Sequence, residues 1–155
     1  MKKIFLVAII LIAGWQLAQR GDFVQPRGNR AAENPATQTN VERTAGDDAI
    51  ARAFANQQSN VQIESRGTVQ KILPDDDKGS RHQRFIVRLD SGETVLIAHN
   101  IDLAPRVEAL RVGDAIEFYG EYEWNNKGGV IHWTHRDPQQ RHAAGWIRHN
   151  GRSYQ

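Results

Sequence analysis

Residues 61–70 alternate strictly: Val61, Ile63, Ser65, Gly67 and Val69 interleave with Gln62, Glu64, Arg66, Thr68 and Gln70. Successive side chains of a strand point to opposite faces, so this period of two sets one face against a core and the other in solvent. Gly67 falls among the inward positions. A glycine in the middle of a strand removes the side chain where a sheet must bend tightly, as a closing sheet does.

The same period returns downstream, separated by turn-forming residues. Pro74 and the run Asp75-Asp-Asp-Lys-Gly-Ser80 read as a polar loop that ends the first strand. Phe85, Val87 and Leu89 give a second strand, Asp90-Ser-Gly-Glu93 a hairpin turn, and Val95, Ile97 and His99 a third strand. Ile101 to Leu110 reads as a short, proline-interrupted helical link. Leu110-Arg-Val-Gly-Asp114 then leads into a fourth strand with Ile116, Phe118, Tyr122 and Trp124 on one face. After the turn Asn125-Asn-Lys-Gly-Gly129, Val130 to Thr134 supply a fifth. Five strands with a helical link between the third and fourth match the OB-type barrel, whereas a β-sandwich would want more strands. A short helix precedes the barrel: Asp47 or Asp48 caps it, Ile50, Ala53 and Phe54 lie at helical spacing, and it ends near Gln58. The tail carries Trp146, Ile147 and Tyr154, which need cover and so fold back on the barrel.

The first nineteen residues have a different character. Met1-Lys-Lys3 is a positive start, and Ile4 to Ala13 has no charged or polar side chain, the shape of a secretory leader. The apolar run falls short of the roughly 20 residues of a comfortable membrane span. Residues 1–19 therefore read as a signal peptide or N-terminal anchor, with a weak membrane tether through residues 4–18. Residues 20–45, rich in Gly, Pro, Asn, Gln and Thr, read as a flexible linker, because they bury too little apolar surface to offset ordering entropy. Residues 46–155 form the domain, expected in the periplasm or outside the cell. The chain has no cysteine, which excludes disulfides, thiolate catalysis and cysteine metal sites.

Net charge is +2, too small to argue for nucleic acid from bulk charge. Its distribution says more. Residues 114–123 hold Asp114, Glu117, Glu121 and Glu123 with no base, while residues 138–155 hold Arg141, Arg148, Arg152, His142 and His149 with no acid. Four of the six histidines and two of the four tryptophans fall between Val130 and His149.

On an OB-type barrel, ligands lie across the second and third strands. Arg81, Arg84 and Arg88 make a basic stripe there, and with Trp133 for stacking they are the expected substrate-binding residues for an anionic polymer. His82, His99 and His135, at strand ends or turns, are the catalytic candidates, able to move protons near neutral pH. His132-x-x-His135 with Asp137 is the candidate metal set, zinc being the expected ion. Residues three apart on a strand face opposite ways, so that set requires the chain to bend after Trp133; His142 is an alternative third ligand. Asp75, Asp76 and Asp77 lack the spacing of a calcium loop and read as a solvated turn.

The segments Gly79-Ser-Arg-His-Gln-Arg-Phe85, Ala98-His-Asn-Ile-Asp-Leu-Ala-Pro105, Gly120-Glu-Tyr-Glu-Trp-Asn125 and His132-Trp-Thr-His-Arg-Asp-Pro138 resemble a family of small exported bacterial proteins of unknown function. The resemblance covers about residues 47–155 and implies an OB-like barrel outside the cytoplasm, with no activity to carry over. The residues themselves point to an exported domain that binds single-stranded DNA or RNA. A periplasmic nuclease or phosphodiesterase using the same histidines and arginines, with or without metal, and a structural envelope protein without catalysis are the alternatives.

Overall fold

The computed structural model describes the backbone from residue 35 and side chains from residue 45. The leader or anchor and the linker as far as residue 34 lie outside the described residues. One helix and seven strands follow: α1 (Pro35–Ala55), β1 (Val61–Asp76), β2 (His82–Leu89), β3 (Thr94–Asn100), β4 (Ala115–Glu123), β5 (Val130–His132), β6 (Trp146–His149) and β7 (Arg152–Tyr154). Among the described residues no helix is long and apolar enough to cross a membrane.

The helix starts well before Asp47, so the last part of the segment read as linker is helical. Proline suits a first helical position, having its φ preset and no N–H to leave unpaired. Asp47 is not a cap. It is buried, accepting a 2.6 Å hydrogen bond from Ser65 Oγ on β1 and a 3.0 Å bond from the Ser91 backbone N–H. Ile50 and Ala53 face the core, whereas Phe54 is 40% exposed. Gly46 lets the helix approach closely: a Cβ there would stand 2.1 Å from the Glu64 carbonyl oxygen. Glycine inside a helix costs about 1 kcal/mol relative to alanine, so this close seat is what the residue serves.

All seven strands form one sheet in the order β1-β2-β3-β5-β4-β6-β7, and β1 also pairs with β4, which makes the sheet partly ring-like. The two ladders meet at Gly67, which pairs with Leu89 of β2 on one side and Ile116 of β4 on the other. Inside lie Ile63, Val69, Phe85, Val87, Leu89, Val95, Ile97, Ile116, Phe118, Tyr122 and Ile131, the inward positions of the alternating runs.

Three expectations are corrected. β1 does not stop at Pro74 but runs to Asp76, and the ladder with β2 absorbs the proline in an irregularity between Leu73 and Asp76. The link from residue 101 to residue 110 contains turns and no helix. Its backbone groups bond to side chains instead: Asp102 N donates to Asn100 Oδ1 and Val107 N to Gln83 Oε1. The strands number seven, because the tail folds back as the hairpin β6–β7 along β4 and buries Ile147 and Tyr154.

Candidate functional site

The outward residues of β4 are Glu117, Tyr119, Glu121 and Glu123, alternating with inward Ile116, Phe118, Gly120 and Tyr122. Antiparallel pairing sets His132 of β5 directly opposite Glu121, with Glu123 one outward position along. His132 Nε2 lies 3.6 Å from Glu121 Oε1 and 3.8 Å from Glu123 Oε1. Glu121, Glu123 and His132 thus form a cluster that could hold a metal ion, one ligand atom from each lying within 4.8 Å of the others.

After His132 the chain leaves the sheet. Trp133 adopts φ 52°, the left-handed region that side chains rarely occupy, but this bend does not bring His135 to His132. The excursion returns at Gly145, whose N–H bonds the His135 carbonyl at 3.0 Å. On the way it lays His142 on Trp133, the rings stacked with centroids 3.8 Å apart, and brings His142 Nδ1 to 3.7 Å from Glu121 Oε2.

Covering the sheet in this way leaves the cluster half-buried. Glu121 is 8% exposed, and its nearest hydrogen-bond donor is Gln62 Nε2 at 3.4 Å. His132 Nε2 is buried and makes no hydrogen bond, an uncommon state for a polar atom. Burial pushes the His132 imidazole below its ordinary value, against the pull of Glu121 and Glu123. Two carboxylates at this spacing repel by about 3 kcal/mol at an effective dielectric near 20. The arrangement is suited to a cation: two carboxylate oxygens and an imidazole nitrogen converge.

The remaining candidates are placed as follows. His135 and Asp137 do not join His132. His135 is buried and donates from Nδ1 to the Arg136 carbonyl at 2.8 Å, while Asp137 accepts from the N–H groups of Gln139, Arg141 and His142. Asp137 therefore shapes the loop that carries His142. His99 lies inside the sheet, accepting at Nδ1 from Thr134 Oγ1 (2.8 Å) and donating from Nε2 to the Pro105 carbonyl (3.0 Å). Burial lowers its pKa to about 4, and both neighbouring imidazoles, His135 and His82, act in the same direction. His82 donates to the Ser80 carbonyl at 2.8 Å. The three catalytic candidates are thus neighbours, each bonded to a backbone carbonyl.

On the basic stripe, Arg81 is paired with Asp102 at 2.7 Å, and Arg84 lies 3.6 Å from Asp76 and donates to the Pro74 carbonyl. Arg88 is exposed. Trp133 has one face covered by His142. The sequence reading passed over Glu121 and Glu123 as site residues. Their signal was the hairpin itself: Glu-x-Glu on one face of β4, folded at Asn125–Gly129, brings His132 opposite Glu121.

The chain belongs to the family described as protein of unknown function (DUF3465), which matches residues 35–155 and so takes in α1, the whole sheet and the cluster. No curated protein matches the chain.

Proposed function

We propose that this family member is an exported OB-type barrel domain that binds one divalent transition-metal ion, zinc being the ion its ligands suit best, through Glu121, Glu123 and His132. The observation that carries the proposal is the buried, unbonded His132 Nε2 facing two carboxylates from the paired strand. Zinc takes imidazole nitrogen and carboxylate oxygen at about 2.0–2.2 Å, and ligand atoms on one tetrahedron then stand roughly 3.3–3.6 Å apart. The imidazole lies 3.6 and 3.8 Å from the two carboxylates, and the whole set within 4.8 Å, so the ligands must draw together on binding the ion. The absence of cysteine leaves such an oxygen and nitrogen set as the protein's route to a zinc site. The OB-type reading is supported by the strand order, in which β1, β2, β3, β5 and β4 follow one another round to a second pairing with β1.

The nucleic-acid reading is secondary. Arg81 and Arg84 are engaged with carboxylates, and one specific observation favours it: Arg88 stands exposed on β2. The metal reading is tested by titrating the metal-free full chain with zinc in a calorimeter. One ion should bind per chain, and both Glu121→Gln and His132→Ala should weaken binding at least tenfold, as loss of a ligand does. Unchanged affinity in both variants would remove the cluster from the function.

A further inference from the structure

The loop between β5 and β6 brings a fourth group to the cluster. His142 Nδ1 lies 3.7 Å from Glu121 Oε2, the carboxylate oxygen that accepts from Gln62 Nε2, while His132 faces the other oxygen, Oε1, so the His142 ring must turn to reach the same ion. The His142 ring stacks on Trp133 and is half-buried. Its backbone is fixed independently: Asp137 Oδ2 accepts from Arg141 N at 2.7 Å and from His142 N at 3.2 Å. A side chain stacked on Trp133 above a backbone held by Asp137 is placed to serve as a ligand arm.

We infer that His142 is the fourth ligand of the metal, so that Glu121, Glu123, His132 and His142 enclose the ion in a closed two-nitrogen, two-oxygen site that locks the Trp133–Gly145 loop onto β4. The inference rests on the metal-binding reading above. It specifies that reading further: a site with four protein ligands has no open position for water and serves as a clasp, whereas three ligands would leave one for chemistry. Asp137 is a positioning residue that delivers the arm.

The test is cobalt(II) absorption of the full chain, because four-coordinate cobalt absorbs far more strongly in the visible than five- or six-coordinate cobalt. The wild type should give the intense four-coordinate spectrum. His142→Ala should still bind, at least tenfold more weakly, and at saturation its visible bands should shift in position and intensity, because water replaces imidazole in the fourth position. Asp137→Ala should bind more weakly yet reach the wild-type spectrum at saturation, which separates positioning from ligation. Far-ultraviolet circular dichroism of the metal-free proteins reports whether each variant is folded. If His142→Ala keeps the wild-type spectrum and affinity, the fourth-ligand assignment is overturned and the three-residue site stands. If the wild type takes up no cobalt or zinc, both fall.

Discussion

At the scale of single residues, two histidines do opposite work, His99 fully buried and His132 half-buried. His99 has both ring nitrogens satisfied, by Thr134 and Pro105, whereas His132 has an orphaned Nε2 aimed at carboxylates. The sequence assigned His99 to catalysis and His132 to a metal without their partners, because residue type and position at a strand end carry no information on hydrogen-bond partners. Burial makes His99 a source of acid lability. Its folded pKa, about 4, lies below the ordinary value near 6.5, so the unfolded chain binds the proton more readily. The stabilisation is therefore complete above pH 6.5 and is lost as pH falls towards 4, to a limit of roughly 3 kcal/mol. Thermal melts of the full chain should fall in midpoint across that window, and His99→Gln should flatten the dependence while lowering the midpoint at pH 7.5. A variant with the wild-type slope would show that another group governs acid unfolding.

At the scale of elements, the alternating pattern was enough to place β1 to β5, because a strand with one buried face must write its period into the sequence. Gly67 was legible as a bend for the same reason. Ordinarily, alanine in place of a strand glycine is favourable. Here a Cβ would stand 2.2 Å from the Arg88 carbonyl oxygen, so Gly67→Ala should destabilise by about 1–3 kcal/mol, read from urea midpoints at constant slope. A neutral or stabilising result would mean that β1 does not carry both ladders at that point. The illegible elements were those governed by side-chain-to-backbone bonds. Pro74 reads as a strand breaker but sits in a ladder irregularity, and the link after β3 is shaped by Asn100 and Gln83. Glu121 and Glu123 became a site only once the β4–β5 register was known.

At the scale of the whole molecule, the opposed charges of two segments turn out to be a pairing code. The acidic residues 114–123 lie beside the basic tail: Asp114 meets His149 at 2.8 Å, Glu117 meets Arg148 at 3.6 Å and Glu121 meets His142 at 3.7 Å. The segregation was visible in sequence, and its structural meaning needed β6 to be placed along β4. The tail also completes the core. Fully burying side chains the size of Ile147 and Tyr154 contributes roughly 1.5–3 kcal/mol each, a large part of a typical domain stability of about 5–15 kcal/mol. Removing residues 146–155 should therefore abolish the cooperative melt seen by circular dichroism; a truncated chain that melts cooperatively near the wild-type temperature would show the tail to be dispensable. The central claim, that β4 and β5 bring two carboxylates and an imidazole together around one ion, is tested most directly by X-ray absorption at the zinc edge on the zinc-loaded full chain. The account predicts a nitrogen and oxygen shell near 2.0 Å with the outer-shell scattering of imidazole, lost in His132→Ala. A water-like shell without imidazole, or zinc that dialyses away from the wild type, would contradict it.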